Sequence, residues 1–138
     1  MNTVIAPCGC PPTLHIPLPP GAQAARQARR NVARMLAMQM DACPCSVAED
    51  LVLIVSELVT NAVLHAHGPY ALTIRLEPRR AGIAVSDGSP DMSGRRADVG
   101  ARRIGPGGRG LKIVRALGAD LFVSRAGDGK QVVAVLTW

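Results

Sequence analysis

A chain of 138 residues with 48% hydrophobic and 19% charged side chains suits one domain with its own core and is too apolar for a disordered segment. Aromatics make up only 2%, so the core has to come from Val, Leu, Ile, Ala and Met, and little is left to stack on nucleic-acid bases. The net charge of +6 calls for an anionic partner or ligand without choosing among nucleic acid, acidic protein and phosphorylated small molecule.

No apolar run approaches the roughly 20 residues of a membrane span, and the chain does not open with a basic-then-apolar leader. The expected address is the cytoplasm. Cysteine occurs as Cys8-Gly-Cys10 and Cys43-Pro-Cys45. One intervening residue is not the two-residue spacing of structural zinc sites, so free cytosolic thiols are the preferred reading.

In chain order, residues 1–20 are rich in proline, which neither continues a helix nor donates to a ladder. A flexible tail over 1–13 is expected, with a short edge strand at 13–18. Residues 22–40 turn helical: Ala25, Ala28, Val32, Met35, Leu36 and Met40 fall near helical spacing, with arginines opposite. A second helix should open at Ser46, where Ser46-Val-Ala-Glu49 matches a capping box. Val47, Leu51, Ile54, Val55, Leu58 and Ala62 would form its buried stripe, and His67-Gly-Pro69 should stop it.

After Pro69 the period changes to two. Residues 70–76 and 82–86 read as a hairpin. Residues 87–109 are a long stretch of Gly, Pro, Asp and Arg, of the kind that is often functional in a small domain. A helix over 110–117 follows, then a hairpin of 121–124 and 132–136 around Gly127-Asp-Gly-Lys130. The predicted fold is α+β, a two-layer α/β sandwich with helices on one face of a mixed, mostly antiparallel sheet. One domain over 14–138 is expected.

Three places carry candidate chemistry. Glu57 and Asn61 are four apart on the second helix and share a face. A carboxylate and an amide oxygen there suit Mg²⁺, and Glu57 suits proton abstraction from a hydroxyl. Such a pair is also common on plain helix surfaces and decides nothing alone. Asp87 ends a strand in Val85-Ser-Asp-Gly-Ser-Pro90, as an ordinary turn residue or as the acceptor of a purine amino group. Gly105-Pro-Gly-Gly-Arg-Gly110-Leu-Lys112 opens a helix, where free backbone N–H groups attract phosphate, and Arg103, Arg109 and Lys112 add positive charge. Neither the Walker pattern nor the Rossmann fingerprint is present.

Taken in order, these parts resemble the GHKL, or histidine-kinase-like, ATPase superfamily, and within it the stand-alone bacterial anti-sigma-factor serine/threonine kinases. Val55-Ser-Glu-Leu-Val-Thr-Asn-Ala-Val-Leu-His-Ala66 is similar to the N box, Val85-Ser-Asp-Gly-Ser-Pro90 to the first glycine box, Gly108-Arg-Gly-Leu-Lys-Ile-Val114 to the second, and Gly129-Lys-Gln-Val-Val133 to the closing strand motif. The resemblance implies a Bergerat-type fold binding ATP and Mg²⁺, with Asn61 on the metal and Glu57 as the base. Asp87 would bind the adenine amino group. Gly108 and Gly110 would meet the phosphates, Gly88, Gly107, Arg109 and Leu111 would also belong to the nucleotide site, and residues of about 91–107 would form the lid.

It also implies an anti-anti-sigma-like protein as phosphorylated partner and a sigma factor as exchange partner, allows a homodimer, and expects no membrane or direct nucleic-acid contact. Ser89, Asp91 and Pro106 depart from the family pattern. An ATP-binding module that sequesters a regulator with weak or no catalysis is one alternative, and a basic nucleic-acid-binding regulator is another.

Overall fold

The computed structural model describes residues 3–5, 11–39, 41–88, 102–103, 109–126 and 129–138. The elements are β1 (Thr3–Ile5), β2 (Thr13–Leu18), α1 (Gln23–Met38), α2 (Cys45–His65), β3 (Tyr70–Glu77), β4 (Arg80–Asp87), β5 (Arg102–Arg103), α3 (Arg109–Ala116), β6 (Asp120–Ala126) and β7 (Gly129–Thr137).

The strands form one sheet in the order β1-β2-β3-β4-β7-β6-β5. Every described pairing is antiparallel, so the sheet is more uniform than the mixed one expected. The α+β arrangement itself is as the sequence implied. Thr3–Ile5 pairs with β2, which makes β2 the second strand of the sheet and not its edge.

Period-two alternation decides which face is covered. Leu14 and Ile16 of β2, Leu72, Ile74 and Leu76 of β3, Ala81, Ile83 and Val85 of β4, and Ala134 and Leu136 of β7 are all buried. The register sets them side by side, with Ile16 opposite Leu72, Leu72 opposite Val85, and Ile83 opposite Ala134. On this face lie Leu51, Ile54, Val55, Leu58 and Val59 of α2 and Ala24, Ala28, Val32 and Met35 of α1. Each fully buried Leu, Ile or Val contributes roughly 1.5–3 kcal/mol. α2 lies across β3, β4 and β7, with α1 beside it over β2 and α3 packed on its other flank.

Two local expectations change. The capping box does not form: α2 begins one residue early at Cys45, its N-cap is Pro44 in an extended conformation, and no side chain caps it. Proline supplies the non-helical turn that Ser46 was expected to provide. The β3–β4 hairpin is also tighter than predicted. Arg79 takes a left-handed conformation (φ 61°), so pairing continues to Glu77 and Arg80 around Pro78-Arg79. The C-terminus fixes this turn: Trp138 donates its backbone N–H to the Arg79 carbonyl at 3.0 Å, and Arg79 Nε donates back to the Trp138 carbonyl at 3.0 Å. Among the described residues, no helix is long and apolar enough to cross a membrane.

Candidate functional site

The helix-facing end of β4, the solvent edge of α2 and the first turn of α3 bring the sequence-derived candidates to one side of the fold. α2 buries Ile54, Val55, Leu58, Val59 and Ala62. Glu57 and Asn61 lie on a neighbouring strip of the same helix and are half-buried. Two polar side chains are thereby held at the rim of an apolar core, where water is partly excluded and electrostatic contacts strengthen.

Glu57 is directed at α3. A Cβ added to Gly110 would sit 2.8 Å from Glu57 Oε2 and 3.8 Å from both its Cβ and Cδ. The glycine is what lets the carboxylate lie against the start of this helix. α3 buries Leu111 and Val114, which anchors it to the core. Its first-turn N–H groups lack intrahelical acceptors. No acid occupies that turn, and exposed Arg109 and Lys112 add positive charge, so its electrostatics favour an anion. Leu111 is 8% exposed; its side chain belongs to the core, and only its backbone amide remains for a ligand.

Asp87 is the last residue of β4 and is buried at 6% exposure. It shares the helix-facing side with Ile83 and Val85. Its position is fixed by backbone on two sides. Gly88 donates its N–H to the His67 carbonyl at 2.7 Å, and a Cβ on Gly88 would come within 2.5 Å of the Gly68 carbonyl oxygen. From β7, a Cβ on Gly129 would fall on the Asp87 carbonyl oxygen. Asp87-Gly88 is thus clamped between the α2–β3 connection and the start of the last strand. That connection is held in turn by Tyr70, whose hydroxyl donates to the Ala66 carbonyl at 2.9 Å. A buried carboxylate in a rigid backbone cradle is suited to receive an amino group.

Gly107, Gly108, Pro106 and the expected lid over 91–107 fall mostly outside the described residues; of that stretch only 102–103 are described, pairing as β5 with β6. Sequence reasoning missed two contributors. Arg29 of α1 donates from Nη1 to Ser56 Oγ at 2.9 Å, tying α1 to the residue before Glu57. Gly129, read as part of a turn and as the start of the closing strand motif but not linked to Asp87, is required by it. A glycine opening a strand opposite the candidate aspartate was the available signal for the second; the first needs the helix pairing.

The residues present fit a Mg-nucleotide. Carboxylate and amide oxygens of Glu57 and Asn61 are of the kind Mg²⁺ takes, the α3 amides and cations suit phosphates, and Asp87 suits a base amino group. Among the described residues, no group of three or more His, Cys, Asp or Glu side chains could hold a metal ion.

No curated protein matches this sequence. Among solved structures, the RsbU and RsbW domains of Rv1364c from Mycobacterium tuberculosis are similar, with a TM-score of 0.62 and 22% identity over 91% of this chain and 32% of that one. This chain therefore spans about a third of that protein's length, and the likeness is one of fold. The histidine kinase domain of the blue-light activated histidine kinase EL346 from Erythrobacter litoralis aligns with a TM-score of 0.49 and 22% identity over 80% of this chain and 60% of that one. The family profile of the histidine kinase-like ATPase domain matches residues 18–136, and by that match the chain belongs to the histidine kinase-like ATPase family.

Proposed function

We propose that this protein binds Mg-ATP and transfers phosphate to a serine or threonine hydroxyl of an anti-anti-sigma-like partner, exchanging that partner for a sigma factor as its nucleotide and phosphorylation states change. The observation that carries this reading is the placement of the Glu57 carboxylate against Gly110 at the N-terminus of α3.

Phosphoryl transfer asks mainly for positioning and charge neutralisation. Bound Mg²⁺ would neutralise the phosphate oxygens. Asn61 would hold the metal through its amide oxygen, and the α3 amides with Arg109 and Lys112 would hold the phosphates. Asp87 would accept the adenine amino group. Glu57, at the meeting point of α2 and α3, would take the proton of the attacking hydroxyl; its half-buried position keeps it beside the phosphates without closing it to a protein substrate.

The test is phosphate transfer from labelled ATP to anti-anti-sigma-like acceptor proteins, comparing wild type with Glu57→Ala. Loss of transfer with ATP binding retained supports the base. Transfer at the wild-type rate would remove Glu57 from that role. The departures Ser89, Asp91 and Pro106 support a second reading, a nucleotide-binding module that sequesters its partner without chemistry. ATP binding with no transfer from the wild type would select it.

A further inference from the structure

α1 is strongly basic. It holds Arg26, Arg29, Arg30 and Arg34 and no acidic residue. Arg29 is engaged with Ser56 of α2. Arg26, Arg30 and Arg34 recur every fourth residue, so they form one row along the helix. All three are exposed, and none has an ion pair or hydrogen bond among the described residues. Like charges at this spacing destabilise a helix by roughly 0.2–0.5 kcal/mol per pair, so the row is kept at some cost to α1.

The row is also shaped. With Gln23, Gln27 and Asn31 it lines a shallow polar hollow of ≈ 460 Å³. The Asn31 amide nitrogen donates to the Gln27 carbonyl at 2.8 Å, which orders the floor. At 3.6 residues per turn the row turns away from the flank where Arg29 meets α2. The crevice between α1 and α2 is lined by other α1 residues, Ala33, Leu36 and Ala37.

We propose that this face of α1 docks an acidic α-helix of a partner protein. Residues four apart on a helix are about 6 Å apart along its axis, so carboxylates at every fourth position of a partner helix match the three guanidinium groups in pitch. The guanidinium fork suits a carboxylate in two-pronged geometry, and the Gln23 and Gln27 side-chain amides beside the row can satisfy its remaining oxygens. A membrane surface fits less well, because the apolar side of α1 that would insert is buried on the sheet. Nucleic acid fits less well, because no aromatic side chain lies in the hollow to stack on a base. None of the three arginines is a candidate residue of the nucleotide site.

The test uses the full chain and a fluorescent synthetic helical peptide of about 20 residues with Glu at every fourth position, read by anisotropy. The wild type should bind it, more weakly as salt rises. Arg26→Glu, Arg30→Glu and Arg34→Glu together should weaken binding by about ten-fold or more, with the helical circular dichroism signal and ATP binding unchanged. The milder triple change to Gln should move affinity in the same direction. Triple reversal at Arg75, Arg80 and Arg115 should weaken it far less. The proposal is overturned if the wild type ignores the peptide, if the two triple reversals weaken it equally, or if a duplex DNA of about 20 base pairs binds the arginine row more tightly than the peptide. Loss of ATP binding by the wild type would count against the nucleotide site and leave this surface as it stands.

Discussion

The carboxylate of Glu57 lies over Gly110, close enough that a Cβ on the glycine would stand 2.8 Å from Oε2. A side chain of the N box is thus set against a residue more than fifty positions later, at the helix start where the phosphates are proposed to bind. Gly110→Ala should keep the fold, because the obstacle is the free end of a flexible side chain and alanine gains up to about 1 kcal/mol of helix propensity. The melting temperature should move by no more than a few degrees. Phosphate transfer should fall by about 10²-fold through displacement of the base. A Gly110→Ala protein with wild-type transfer would show that the contact has no catalytic role.

Gly129→Ala should behave in the opposite way. Here the obstacle is backbone, the carbonyl of Asp87, and neither partner can swing aside without breaking the β4–β7 pairing at Asp87 and Lys130. A loss of about 1–3 kcal/mol or more is expected in denaturant unfolding, together with weaker ATP binding through movement of Asp87. A variant as stable as the wild type would mean that the strands separate there at little cost.

The Glu77 carboxyl is held below its ordinary range, first by the hydrogen bond from Arg80, with the charges of Arg80 and Arg75 adding and partial desolvation opposing. A carboxyl more acidic in the fold than in the unfolded chain stabilises the fold above its unfolded value and loses that contribution as pH falls through its folded value. Arg80→Ala should therefore be less stable than wild type at neutral pH, and the two should converge as pH drops below 4.5, the usual value for the carboxyl. A stability gap constant down to strong acid would assign the effect of Arg80 to packing.

Burial, and after it the charge of Cys45, pushes the Cys43 thiol above 9.0. Cys45 is exposed and Cys43 half-buried. Since the thiolate is the reacting form, alkylation in mild alkali should mark Cys45 well before Cys43, as fragment-resolved mass spectrometry can follow. Equal rates would contradict the burial of Cys43.

Much of this fold could be read from apolar spacing. Leu72, Ile74 and Leu76 alternate with polar or small residues and form a strand, and the stripe from Leu51 to Ala62 forms the buried side of α2. Local chemistry was less reliable where tertiary context competes. Ser46 matched a capping box, yet the helix starts at Cys45 with Pro44 as its N-cap. The hairpin at Pro78-Arg79 carries no glycine, and its left-handed residue is an arginine secured by Trp138 from the far end of the chain.

For the candidate site, Glu57, Asn61 and Asp87 could be singled out from the sequence because residue type and spacing are local. The clamp on Asp87-Gly88 by His67, Gly68 and Gly129 was not, because it joins three separate segments through backbone atoms that no sequence period encodes. The arginine row of α1 was visible only as the polar side of an amphipathic helix. That its members have no ion pair or hydrogen bond among the described residues, while Arg29 bonds Ser56 of α2, emerges from the packing.

The most direct test of the central claim is calorimetric titration of the full chain with ATP, with Mg²⁺ and then without it, on wild type and Asn61→Ala. The wild type should bind, and binding should weaken both on removal of Mg²⁺ and on loss of the Asn61 amide. Binding that is indifferent to Mg²⁺ and to Asn61, or no binding by the wild type, would contradict a Mg-ATP site at the junction of α2, α3 and β4.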